Sequence, residues 1–157
     1  MKTCQTRNRK NTYLPRFRVK LVRENRALFS PAPLRDSRTA ADLLAPHFRG
    51  IDREQFLVCG LDAKHHIIGL NVVSVGSLTV SIVHPREVFK PLILMNACAL
   101  ICAHNHPSGD PTPSEEDHAL TYRLREAGDL LGIKLLDHII LGDSYNYSFA
   151  DQGWPGT

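Results

Sequence analysis

Stretches with strand-like and helix-like hydropathy alternate along this sequence without a strict strand–helix–strand repeat. That pattern predicts an α/β (α+β) fold, a single domain in which a mixed β-sheet is flanked by helices. With 157 residues, 43% of them hydrophobic, the chain is long enough to bury one core without disulfide staples. Its composition excludes collagen-like, low-complexity and wholly disordered chains. No apolar run approaches the roughly 18–20 residues a membrane span needs. The basic, polar start has no apolar stretch of a secretory signal, so a cytoplasmic location without a membrane partner is expected.

Residues 1–36 read as a basic arm, an edge strand and a linker, and residues 37–157 as the folded domain. After a lead to about residue 14, Arg16-Phe17-Arg18-Val19-Lys20-Leu21 alternates basic and apolar, which predicts a half-buried edge strand guarded by cations. Residues 27–36 form a Pro-containing link. Ser37 is expected to cap a short helix over 38–45, which Pro46 disturbs. Glu54 to Leu61 predicts a buried strand, 62–65 a turn, and His66 to Val75 the returning strand, before Gly76-Ser77-Leu78-Thr79 breaks the pattern.

His84-Pro85-Arg86 begins a helix to about Ala97, with a kink expected at Pro91. Leu100 to Ala103 is a short apolar strand running directly into His104-Asn105-His106, and a Pro- and Gly-rich loop follows. Ser114, with Asp117 three residues on, resembles a capping box. It opens a long helix with the apolar stripe Leu120, Leu124, Ala127, Leu131 and a Gly132 cap. Lys134 to Leu141 is the last core strand, with a short one expected at 145–149.

The four cysteines contain no C-x-x-C, so zinc-ribbon and thioredoxin-like readings fail, and reduced thiols in the core are expected. The charge is uneven: residues 1–26 carry nine Lys/Arg and one acid, whereas the remainder is net acidic. A basic arm can attract a polyanion such as nucleic acid, although no aromatic interleaving accompanies it, and a solvated tail is the plainer reading.

The informative stretch is His104-Asn105-His106-Pro107, followed by Ser114 and Asp117. Two histidines two apart at a strand end project from one face. Asp117 lies one turn into the next helix and shares the face of Leu120 and Leu124, so its carboxylate is expected to point inward. Two imidazoles and a carboxylate leave one tetrahedral position of Zn²⁺ for water, the pattern of a catalytic site. A plainer reading of Asp117 is a helix N3 acid favouring the dipole.

Hydrolysis also needs a proton acceptor, and H-E-x-x-H is absent. Among the glutamates, Glu54 at the start of a buried strand is preferred, with Glu87 second. Ser114 is read as a helix cap and as a hydroxyl donor to a developing oxyanion. Asp137-His138 is a candidate pair for orienting a zinc ligand, or a satisfied pair at a strand end. Asn105, between the ligands, should face the other way and make a structural hydrogen bond. The tail residue Trp154 is expected to pack the chain end.

The run His104 to Asp117 matches H-x-H-x7-S-x2-D, and so resembles the JAMM signature of zinc metalloproteases in the form carried by RadC-like bacterial proteins. His84-Pro85-Arg86-Glu87-Val88-Phe89 and Asp137-His138-Ile139-Ile140 add to the resemblance, which covers roughly residues 37–151. It implies an MPN (JAB) fold with one zinc per chain on His104, His106 and Asp117. It also implies Glu54 as catalytic glutamate and Ser114 at the tetrahedral intermediate. Longer relatives carry a helix-hairpin-helix segment, of which residues 1–36 show no pattern, and long ubiquitin-gripping insertions are absent. The expectation is therefore a zinc-dependent peptidase or isopeptidase acting on a peptide or protein. The alternative is a catalytically silent MPN scaffold, DNA-repair-associated, whose residues 1–26 contact nucleic acid weakly.

Overall fold

The computed structural model describes residues 15–24, 32–76 and 83–154. Helix α1 (Ser37–Leu44) passes through a 3-10 turn (Ala45–Phe48) towards strands β1 (Gln55–Leu61) and β2 (Ile67–Val75). Helix α2 (Pro85–Met95), strand β3 (Ala99–Asn105), helix α3 (Glu115–Leu131), and strands β4 (Lys134–Leu141) and β5 (Asn146–Ser148) complete the order. The sheet runs β2-β1-β3-β4-β5. Among the described residues only β3 and β4 are parallel; the other neighbours are antiparallel. The mixed sheet flanked by helices is the architecture the sequence predicts.

Strand parity divides the core. Leu57, Cys59 and Leu61 of β1 join Ile101, Ala103 and Ile139 beneath Ala40, Ala41 and Leu44 of α1. Phe56 and Val58, with Leu100 and Cys102, face the opposite layer, where Val88, Phe89 and Leu92 of α2 meet Leu120 and Leu124 of α3. Covering both faces explains why β1 is buried along its whole length and reads as a continuous apolar run. Cys59 and Cys102 are buried free thiols, and Cys98 is exposed. Burial pushes the Cys59 thiol up to about 12.

Several expectations need correction. Residues 15–24 form no strand: Phe17 and Val19 are 84% and 68% exposed, and among the described residues no sheet edge pairs with them. Alternation gives a strand only where a neighbouring backbone and an apolar face complete it. The cap of α1 is Asp36, not Ser37: Asp36 is extended and accepts from the Thr39 amide at 2.7 Å. Ser37 instead enters the first turn and donates to Asp151. Leu131 is half exposed because α3 ends there, while Thr121 and Gly128 take part in the buried face. Helix α2 spans Pro91, as the sequence predicts, and ends on Asn96, whose φ is 55°. The lead before residue 15, the first half of the 27–36 link and the Ser77–Thr79 break lie outside the described residues.

Glycine inside a helix ordinarily costs about 0.5–1 kcal/mol relative to alanine. Gly128 is an exception, because a Cβ there would stand 2.6 Å from the Ile133 carbonyl oxygen. Gly128→Ala is therefore expected to destabilise the protein by about 1–3 kcal/mol in urea unfolding, despite its better helix propensity. A gain in stability would show that the turn from α3 to β4 can yield.

Candidate metal centre

The end of β3 and the first turn of α3 bring His104, His106 and Asp117 together, with candidate ligand atoms all within 4.8 Å of one another. His104 and His106 extend from the β3 face that α3 covers. Asp117 reaches them because Ser114 fixes the helix start. The Ser114 Oγ accepts from the Asp117 amide at 3.1 Å, and the Asp117 carboxylate accepts from the Ser114 amide at 2.8 Å. This is the capping box expected from the sequence. The Ser114 hydroxyl proton also goes to Asp117 Oδ2, at 2.6 Å.

Hydrogen bonding determines which ring nitrogens face the site. The Thr121 Oγ1 lies 2.6 Å from the Asp117 carbonyl oxygen, which can only accept, so Thr121 donates there. Its one proton spent, Thr121 accepts from His138 Nδ1 at 2.6 Å. Neutral His138 is then an acceptor at Nε2, and His104 donates to it from Nδ1 at 2.9 Å. His106 likewise donates from Nδ1 to the Asp110 carbonyl at 2.7 Å. When neutral, both candidate histidines therefore present an Nε2 lone pair to the site.

Those two Nε2 atoms are 3.0 Å apart. Asp117 Oδ1 is 3.1 Å from His104 Nε2, and Oδ2 is 3.5 Å from His106 Nε2. Three electron-pair donors converging so closely repel one another unless a cation lies among them. Ligands at ordinary zinc distances on tetrahedral corners stand about 3.3 Å apart, and the observed spacings bracket that figure. The donor set and geometry fit a divalent metal ion.

The electrostatics agree. Burial would raise the Asp117 pKa, but His104, His106 and Ser114 outweigh it and hold the carboxyl far below the ordinary range. Donating a hydrogen bond to the Asp117 carboxylate favours the charged form of His106 and raises its pKa against the opposing effect of burial, with smaller contributions from the Asp110 carbonyl and Glu54. Full burial, reinforced by His104, drives His138 well below its usual value and keeps it neutral.

Glu54 precedes β1 at the mouth of the site, half-buried and close enough to bear on His106. Glu87, the second candidate, is occupied on the surface by Lys90 and Arg86. Of the pair Asp137-His138, only His138 touches a candidate ligand. Parity puts Asp137 on the α1 side, where it accepts from Ser148 Oγ at 2.7 Å and the Ala150 amide at 3.0 Å, so it ties β4 to the chain end. Asn105 makes the structural hydrogen bonds expected of it, to Gln55 and Arg53. The Trp154 ring lies under the Arg125 guanidinium, 4.6 Å from its centroid. Thr121 and the Asp110 carbonyl escaped the sequence reading. The position of Thr121, one turn beyond Asp117 on the inward face, was the available signal for the first.

A family profile described as the RadC-like JAB domain matches residues 34–154. A UPF0758 protein of Shouchella clausii is 49% identical over 118 residues, covering 75% of this chain and 51% of its own length. Another, from Moorella thermoacetica, is 54% identical over 119 residues, 76% of this chain and 52% of the relative. One from Geotalea uraniireducens is 58% identical over 106 residues, 68% and 46%. The chain thus spans about half the length of the curated relatives it matches. Among the described residues no helix is long and apolar enough to cross a membrane.

The titrations predict a stability maximum for the metal-free protein. Below pH 6.5 an unfolded chain protonates His138 while the folded one does not, so stability falls with falling pH. That loss is about 1.4 kcal/mol per pH unit. His106 acts on the other side: its stabilisation is complete below pH 6.5 and is lost as pH rises through its raised folded value. Urea unfolding in a chelator should therefore give highest stability near pH 6.5. His138→Gln should remove the slope between about pH 4 and 6.5, below which Asp117 adds its own loss; an unchanged slope in that window would assign it to another group.

Proposed function

The chain belongs to the RadC-like JAB domain family, and from that premise we propose that it is a zinc-dependent hydrolase of peptide or isopeptide bonds. The observation that carries this reading is the convergence of two imidazole lone pairs and one carboxylate, with Glu54 at the mouth. His104, His106 and Asp117 would hold the ion, and two nitrogens with one oxygen suit zinc. When bound, it acidifies a water and polarises the carbonyl to be attacked. Glu54 removes the proton from the attacking water and returns it to the leaving amine nitrogen as the C–N bond breaks, leaving a carboxylic acid and an amine. Ser114, turning its hydroxyl from Asp117, donates to the oxygen that gains negative charge. His138 and Thr121 keep the His104 lone pair inward throughout.

Elemental analysis of purified protein is expected to find about one zinc per chain, lost in His104→Ala and Asp117→Ala. Glu54→Gln should keep the zinc and lose about 10²–10⁴-fold in cleavage of a peptide mixture followed by mass spectrometry. Wild type that takes up no metal after reconstitution would sink the hydrolase reading.

A second reading rests on residues 15–24, where Arg16, Arg18, Lys20 and Arg23 are all exposed. We propose that this basic arm contacts nucleic acid. Binding to a random duplex should weaken steeply with salt, with a log–log slope of about −0.9 per phosphate neutralised. It should vanish on deletion of residues 1–26. Binding that survived the deletion would place the contact elsewhere.

A further inference from the structure

The two backbone hydrogen bonds of Asn105 flank a single residue, and that residue is Glu54. Asn105 Oδ1 accepts from the Gln55 amide at 2.8 Å, and Nδ2 donates to the Arg53 carbonyl at 3.1 Å. The groups on Arg53 and Gln55 fix the amide's orientation, because an N–H faces Oδ1 and a carbonyl faces Nδ2. Backbone pairing between β1 and β3 is registered as far as Phe56 opposite His104. One residue further on, the Asn105 side chain supplies the next pair of bonds. A third bond completes the arrangement: the Glu54 carbonyl accepts from the Gly76 amide at 2.8 Å. The main chain of Glu54 is therefore held before it, after it and at its own carbonyl, which leaves only its side chain free to turn.

Asn105 also sits between His104 and His106. The same strand end that carries both imidazoles thus sets the position of Glu54 relative to them. We propose that Asn105 is a positioning residue: it couples Glu54 to the metal-binding histidines, so that the proton acceptor and the ligands keep one fixed separation. This inference rests on the hydrolase reading of Glu54. It extends the role of Asn105 from a local structural bond to control of the proton-transfer geometry, where a displacement near 1 Å costs about 10²-fold.

The test is a double-mutant cycle of wild type, Glu54→Gln, Asn105→Ala and the double variant. Each is checked for thermal unfolding and metal content, then read in two ways: the visible spectrum of the Co²⁺-loaded protein, and kcat and KM on a peptide cleaved by wild type. Asn105→Ala is expected to keep its metal and lose about 10- to 100-fold in kcat with KM held. Its Co²⁺ spectrum should move in the same direction as that of Glu54→Gln, and it should add nothing further in the Glu54→Gln background. Asn105→Asp keeps the acceptor for Gln55 but sets a carboxylate oxygen against the Arg53 carbonyl in place of the donor, so it should also lower kcat with KM held, and it serves if alanine costs the fold. An Asn105 effect that is absent, or that persists in full beside Glu54→Gln, overturns the proposal while leaving the base in place. A Glu54→Gln variant with unchanged spectrum and activity overturns the base assignment, and the role of Asn105 falls with it.

Discussion

The candidate site depends on one backbone carbonyl, that of Asp117. A carbonyl oxygen can only accept, so it dictates the direction of the hydrogen bonds from Thr121 through His138 to His104. Were His138 protonated, both of its nitrogens would donate. His104 would then have to accept at Nδ1 and turn an N–H towards His106 and Asp117. Burial of His138 prevents this by disfavouring its charged form. Phe149 stacks on the His138 ring at 5.1 Å, and Phe56 on His104 at 5.9 Å, so the ring planes as well as the protons are fixed. Asp117 thus acts twice: its carboxylate enters the site and its carbonyl sets the tautomer of a neighbour on another strand.

Sheet topology explains why these residues meet. β3 delivers His104 and His106 at its C-terminal end, and the crossover to parallel β4 begins there with the N-terminus of α3. A helix N-terminus favours an ionised carboxylate, and the capping box fixes where Asp117 starts on that helix. Because β1 is antiparallel to β3, the beginning of β1 lies beside the end of β3. A residue just before β1 therefore comes to the site mouth although it is distant in sequence from the histidines. Parity then sorts β4: Cys102 is registered with His138 and Ile101 with Asp137, so the two members of that pair serve opposite layers.

Much of this was legible in the sequence, for reasons that can be stated. The two histidines, the serine cap and Asp117 lie close together in sequence and follow strand and helix periodicity, so local rules placed them. The helix and strand limits also followed from punctuation such as Pro85, Ser114 and Gly132. What could not be read depends on contacts made across the sheet. The relay through Thr121 requires the register of β4 against β3. The division between Asp137 and His138 requires knowing which helix covers which face. The failed strand at Arg16–Leu21 shows the same limit from the other side: period-2 alternation was present, but no partner strand stands among the described residues.

Burial across the three donors gives the centre a direction. The His104 side chain is 1% exposed, closed behind Phe56 and His138, whereas His106 and Asp117 keep 18% and 13%. Solvent therefore reaches the site over His106 and the start of α3, the side on which Ser114 and half-buried Glu54 stand. The loop beside that approach is braced. Gly109 adopts a φ of +80°, where a Cβ would stand 2.3 Å from Asp143 Oδ2, and its carbonyl accepts from the Asp143 amide at 2.9 Å. Asp110, in the same loop, supplies the carbonyl that orients His106. The segment bordering the entrance is therefore also the one that sets a ligand's tautomer. Opening that loop would release the His106 ring, so the shape of the entrance and the orientation of one donor are coupled.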